Sequence, residues 1–123
     1  MSFPLPVENY RPVAVDPFVP RISEADKAQL RTNVQILRDT IVFFTAVAGI
    51  KGYSGHTGGA YDVAPEAVII EAFARGSQRI YPVLFDEAGH RVALQYALAA
   101  FRGNIPFELL LEYRAAYKGL YGH

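Results

Sequence analysis

Two histidines that stand beside glycines are the side chains of this sequence best suited to chemistry. His56 lies in a stretch, residues 52–62, that holds four glycines in eleven positions, and His90 follows Gly89. Glycine lets backbone N–H groups approach a ligand closely, and an imidazole can donate a hydrogen bond to a phosphate or substrate oxygen. The pattern therefore indicates an anion site, although either histidine alone also fits a solvated loop or a helix cap.

Other catalytic patterns are poorly represented. The chain has no cysteine, which excludes disulfides, thiolate metal sites and cysteine nucleophiles. Glu87 and His90 form a single E-x-x-H pair, whereas a di-iron bundle needs two such pairs and two further carboxylates. Ser54 and Thr57 lack the G-x-S-x-G context of a hydrolase, and no phosphate-binding or dinucleotide-binding glycine motif is present. We assign no metal ligands and do not favour a standalone hydrolase.

Composition predicts a single soluble domain. The 123 residues are 51% hydrophobic, and 12 basic residues balance 12 acidic ones. This is enough apolar material for a core, and there is no net charge to attract nucleic acid or an anionic membrane. The longest apolar run, residues 40–50, is about half the roughly 20 residues of a membrane-spanning helix. We expect a cytoplasmic protein that binds neither nucleic acid nor membrane.

The N-terminal third divides into an arm and a long helix. Five prolines in the first twenty residues predict an extended arm over residues 1–22, lying on its own domain or on a partner. Ser23 is a good helix N-cap, followed by acidic residues in the first turn. The helix should continue until Gly49 and Gly52 end it, with its C-terminal half buried.

The rest of the chain is predicted to form three helices and one strand. Helices are predicted over about 63–75, capped by Asp62, over 91–101 and over about 107–117, with a strand over 79–85 that is rich in β-branched and aromatic residues. The order of strand, short turn and helix predicts an α/β fold that is mostly α-helical with one or few parallel strands.

The order of the motifs resembles the N-terminal part of transketolase-like thiamine-diphosphate enzymes. Over residues 31–123 the chain shows a helix, S-G-H-T-G-G, a helix, a strand, a G-H pair, a helix and a terminal Y-G-H. The resemblance implies that residues 23–123 are the N-terminal segment of a thiamine-diphosphate-binding domain. It further implies that His56 is catalytic and lines the cofactor and substrate cleft, and that His90 contacts the diphosphate.

This resemblance also implies an incomplete site. The full enzyme would make or break a carbon–carbon bond next to a carbonyl, using thiamine diphosphate and Mg²⁺, but the family's metal-binding G-D-G motif is missing from these residues. Thr57 replaces a proline, and Tyr117 replaces a histidine that touches sugar. We expect a fragment or a short subunit of a split enzyme, inactive alone and partnered by the remainder of the enzyme or by a second subunit, with homo-oligomers formed through uncovered apolar surface. The alternative is a non-enzymatic helical interaction module.

Overall fold

All the regular secondary structure in the described part of the chain is helical. A computed structural model describes residues 3–19, 21–53, 57–80 and 89–121. In these ranges the elements are a 3₁₀ helix at Val7–Asn9, α1 at Glu24–Ile50, α2 at Thr57–Asp62, α3 at Ala64–Gly76, α4 at Val92–Phe101 and a second 3₁₀ helix at Phe107–Glu112. These ranges contain no strand, so the α/β prediction is wrong.

The predicted strand illustrates how that prediction went wrong. Arg79 lies in a turn, where its backbone N–H donates to the hydroxyl of Ser77 at 3.2 Å. Ile80 has no regular secondary structure. Residues 81–85 lie outside the described residues. A run of β-branched and aromatic side chains favours a strand only where another strand pairs with it, and the described ranges offer none.

Helix α1 is the central element, and its bounds agree with the sequence prediction. The Ser23 hydroxyl accepts the Asp26 N–H at 3.1 Å, which caps the first turn. At the other end Gly52 adopts φ 90°, and the Tyr53 N–H donates back to the Ala48 carbonyl at 2.9 Å. This is a Schellman ending, which needs a residue in the left-handed region and so favours glycine.

The core forms along α1. By length and apolarity α1 would also suffice to cross a membrane, but Leu37, Ile41 and Phe44 are completely buried inside the bundle. Helix α4 packs beside α1 with Ala93 and Ala97 fully buried. Small side chains at such positions let two helices approach closely, so the core forms where α4 lies against α1.

Two helix boundaries differ from prediction around the glycine-rich stretch. Part of that stretch forms the short helix α2, which was not predicted because glycine disfavours helix. Asp62 is the last residue of α2 and not the cap of α3, whose N-cap Val63 makes no side-chain hydrogen bond. Pro65 stands in the first turn of α3, as expected from its missing N–H.

The last predicted helix is shorter than its sequence pattern indicated. It is a 3₁₀ helix that ends at Glu112, and Arg114 and Tyr117 beyond it have φ of 66° and 63°. Those angles lie in the left-handed region, which a right-handed helix cannot contain. Leu110 and Tyr113 are nevertheless buried, so this segment closes one side of the core.

The N-terminal arm lies on its own domain. The Asn33 side chain accepts the Arg11 N–H at 3.0 Å and donates to the Arg11 carbonyl at 2.7 Å. The Tyr10 ring stacks on Phe101 with centroids 4.2 Å apart. Further along, the Val15 N–H donates to a carbonyl of α3 at 3.0 Å. The arm therefore contacts α1, α3 and α4.

Candidate cofactor-binding site

Gly89 and His90 form the entry to α4. Gly89 has φ 74°, a backbone conformation that residues with a Cβ rarely adopt. The next residue, His90, is exposed. Arg91 is the N-cap and makes no side-chain capping bond, so no side chain of the cap occupies the first-turn N–H groups of α4. A helix N-terminus carries a partial positive charge that favours anions. The geometry thus sets an exposed imidazole beside the positive end of a ten-residue helix.

Gly59 in the glycine-rich stretch lies directly against this entry. A Cβ built on Gly59 would sit 3.4 Å from the His90 carbonyl oxygen and 3.7 Å from Cγ of Arg91. These are van der Waals distances, so α2 lies close to the entry of α4 at this glycine. The two motifs that sequence analysis singled out, thirty residues apart, therefore meet in the fold through a glycine.

Helix α2 is held in place from the α1 side. The Thr57 hydroxyl donates to the Thr45 hydroxyl at 3.0 Å. The Arg38 Nε donates to the Tyr61 carbonyl at 3.1 Å, and its guanidinium lies 4.5 Å from the centroid of the Tyr61 ring. Because both ends of α2 are fastened to α1, the distance from Gly59 to His90 is fixed by the core and not by a loose loop.

The terminal motif also reaches α4. The Tyr96 hydroxyl donates to the Tyr121 carbonyl at 2.6 Å, while the Tyr113 ring packs edge-on against Phe44 at 5.2 Å. Burial raises the pKa of Tyr96 and of Tyr113, so both phenols are neutral at ordinary pH, and the Tyr96 hydroxyl is the donor in this contact. The N-terminal half of α4 is therefore contacted by both the glycine-rich stretch and the chain just before the final G-H pair.

The predicted site residues are only partly within the described ranges. His90 is described and exposed, whereas His56 and Glu87 lie outside the described residues, so the predicted cleft between the two histidines is not tested. Across residues 3–19, 21–53, 57–80 and 89–121, no three histidine or carboxylate side chains are grouped to hold a metal ion.

The sequence analysis missed a buried carboxylate in the C-terminal half of α3. Glu71 is buried and pairs with Arg102 and with Arg75, the latter at 3.5 Å, next to a cavity of about 260 Å³. Burial, and then the Glu71 carboxylate, raise the pKa of Tyr10 to about 12. The signal was present in the sequence, because Glu71 falls on the helical face of Ala64 and Val68, where apolar residues are expected. The two guanidiniums pair with the carboxylate, so this cluster fastens helices together.

Known proteins do not assign the chain to a family. No family model matches it, and no curated protein or solved structure is significantly similar to it. What the chain does must therefore be argued from its own residues and from the resemblance of its motifs.

Proposed function

We propose that this chain supplies one wall of a thiamine-diphosphate site in a transketolase-like enzyme that makes or breaks a carbon–carbon bond next to a carbonyl. The observation that supports this most directly is the contact of Gly59 with His90, which joins the two histidine-bearing motifs. The motif resemblance supplies the identity of the cofactor. In this proposal His90 binds the diphosphate and His56 acts at the reacting end.

Chain connectivity strengthens the case for a shared site. His56 precedes Gly59 by three residues, and three Cα–Cα steps span at most about 11 Å. Gly59 lies beside the backbone of His90, since a Cβ built on Gly59 would be 3.4 Å from the His90 carbonyl oxygen. Both histidines are thus on segments close enough to serve one ligand of diphosphate size.

The chemistry assigned to this chain is binding and orientation. The His90 imidazole and the first-turn N–H groups of α4 are suitable donors to diphosphate oxygens, and charge-assisted hydrogen bonds of this kind are stronger than neutral ones. Thiamine diphosphate, when bound, supplies the nucleophilic carbon. The chain lacks the family's metal-binding motif, so we propose that Mg²⁺ ligands come from the remainder of the enzyme or from a second subunit, and that this chain alone is inactive.

The distance between the two histidines tests the shared site directly. The chain contains no cysteine, so spin labels can be attached at His56→Cys and His90→Cys without background. We expect a short distance for this pair. A control pair at Glu24→Cys and His90→Cys should give a much longer one, because Glu24 lies about 30 Å along α1 from Thr45, which contacts α2. Equal distances for the two pairs would exclude the shared cleft.

Ligand titration tests the chemistry. The three histidines can be followed individually through their imidazole NMR signals during addition of thiamine diphosphate with Mg²⁺. We expect the His56 and His90 signals to shift, and thiamine without its diphosphate to leave His90 unchanged. No shift at millimolar thiamine diphosphate would refute the proposal. Micromolar affinity of the isolated chain would instead show that the site is complete without a partner.

A further inference from the structure

A continuous groove runs between α1 and α3, and none of its described lining residues belongs to the candidate cofactor site. Two adjoining cavities of about 320 and 390 Å³ share Leu30 and Ile69, so they form one trough, here called the α1/α3 groove. Leu30 and Val34 line its α1 wall, and Ile69 and Phe73 line its α3 wall. The segment around Val19 in the arm closes one end.

The groove has the shape and polarity of a helix-binding surface. Ile69 is 42% exposed in its wall, and Val19 is 52% exposed at its arm end. The α1 wall from Lys27 to Val34 follows i, i+3, i+4 and i+7 spacing and is about 10 Å long, which matches about two turns of a third helix. Ridges of an apolar helix face fit into such a trough between two helices.

Charge on the rim selects the kind of helix. Arg21, Lys27 and Arg31 line the groove, whereas Asp16 is the single carboxylate among its lining residues in the described ranges. Lys27 is paired with Glu24 at 3.0 Å, which leaves the guanidiniums in excess. A second copy of this chain that presented the same groove would bring these positive charges together, which is unfavourable.

We propose that the α1/α3 groove binds an amphipathic helix of a partner protein whose apolar side is flanked by aspartate or glutamate. Apolar side chains at i, i+4 and i+7 of that helix would contact Leu30 and Ile69. Its carboxylates would lie beside Arg21 and Arg31, which steers association and sets the orientation. The proposal does not depend on the cofactor site, which is built from α2 and α4.

Two labelled peptides test the proposal on the intact chain. Each has about 18 residues, or about five helical turns, with a leucine face flanked in one peptide by glutamate and in the other by lysine. Fluorescence anisotropy should show the glutamate peptide binding at least about tenfold more tightly, and added salt should reduce that preference because it screens surface charges. Equal affinity for the two peptides, or no binding of either, would overturn it.

Matched substitutions locate the contact. Ile69→Glu should lower the affinity for the glutamate peptide by about tenfold or more, because it removes an apolar anchor and adds a repelling charge. Val42→Glu is the control, since Val42 is 45% exposed on α1 but does not line the groove. Arg31→Glu should shift the preference toward the lysine peptide. Equal losses of peptide affinity from Ile69→Glu and Val42→Glu would contradict binding in the α1/α3 groove.

A membrane surface is the competing occupant of an apolar and basic face. Vesicles of phosphatidylglycerol and phosphatidylcholine, added in place of the peptides, distinguish the two. Binding to these vesicles that Ile69→Glu abolishes, with neither peptide bound, would assign the groove to lipid and overturn the helix proposal. Circular dichroism of each variant checks that its helices are intact.

Discussion

At the scale of single residues, Gly76 decides whether the arm can lie on α3. A Cβ at this position would overlap the Val15 carbonyl, so the arm backbone passes where a side chain would be. We expect Gly76→Ala to displace the arm, to break the hydrogen bond from the Val15 N–H to the Ala72 carbonyl and to cost about 1–3 kcal/mol in urea unfolding.

Gly58 provides the matched control for this substitution. It lies in α2, and no heavy atom of the described residues comes within 4 Å of the position that an alanine methyl group would take. Gly58→Ala therefore introduces no overlap with them. Alanine is the better helix former, and we expect a gain of up to about 1 kcal/mol in the free energy of unfolding. If Gly58→Ala and Gly76→Ala lowered the free energy of unfolding by similar amounts, the close approach of the arm to Gly76 would not explain the loss in Gly76→Ala.

Asn33 is the second residue on which the arm depends. Its amide makes both hydrogen bonds to the Arg11 backbone and also accepts from Gln29 at 2.8 Å. We expect Asn33→Ala to cost about 2–3 kcal/mol, since several hydrogen bonds of a buried amide are lost together. Gln35→Ala removes only an exposed bond to Asp39 and should change stability by about 0.5 kcal/mol or less.

Amide hydrogen exchange at Arg11 tests the same prediction at the contact between the arm and α1. The Arg11 amide donates to Asn33, so its exchange should accelerate in Asn33→Ala and remain slow in Gln35→Ala. Unchanged protection of the Arg11 amide in Asn33→Ala would mean that other contacts hold the arm.

At the scale of elements, Glu71 joins α3 to the end of α4. Glu71→Gln keeps the shape of the side chain but leaves Arg75 and Arg102 without their carboxylate. Both guanidiniums are about a third exposed, so we discount the loss to about 1–2 kcal/mol. The measurement is urea unfolding, with Glu66→Gln, an exposed acid in the same helix, as the control. The proposed role fails if the two variants unfold alike.

Local signals predicted the helix ends that are set by local chemistry. Ser23 caps α1 with its own hydroxyl, and Gly52 supplies the left-handed residue that ends it. Asp62 carried the same kind of signal and failed, because α2 occupies that position. The left-handed backbone at Tyr117 was not predictable either, because glycine is the residue that signals this conformation and a tyrosine stands there.

The candidate site was predictable in its residues but not in its geometry. The glycines beside His56 and His90 drew attention to both motifs from the sequence alone. The close approach of Gly59 to the His90 carbonyl depends on how α2 and α4 pack against α1, and local sequence carries no such information. Burial of Glu71 likewise depends on Arg102, thirty-one positions away.

At the scale of the whole molecule, Tyr10 should make stability fall at alkaline pH. Tyrosine is neutral in both states below its ordinary pKa of about 10, so it contributes no pH dependence there. Between pH 10 and about 12 the unfolded chain ionises Tyr10 while the folded chain does not, which favours unfolding. A shift of this size corresponds to a loss of about 2–3 kcal/mol by the upper end of that range.

Two phenylalanine variants test whether Tyr10 causes the predicted loss of stability between pH 10 and about 12. Urea unfolding from pH 8 upward, through the pKa values of about 10 and about 12, should show a shallower decline for Tyr10→Phe than for the unmodified chain. Tyr117→Phe should decline like the unmodified chain, because Tyr117 is 96% exposed. A decline in Tyr10→Phe as steep as in the unmodified chain would assign the effect to other groups.

The placement of the arm also constrains the order in which the molecule is assembled during synthesis. The arm is synthesised before the helices that it contacts, since Tyr10 stacks on Phe101, about ninety residues later in the sequence. Closing so long a loop is entropically costly, so we expect the arm to dock after the helices have packed. Its hydrogen bonds to the Asn33 side chain should then form late in folding. The arm is therefore made before the helices that hold it, and we expect it to dock after they have packed.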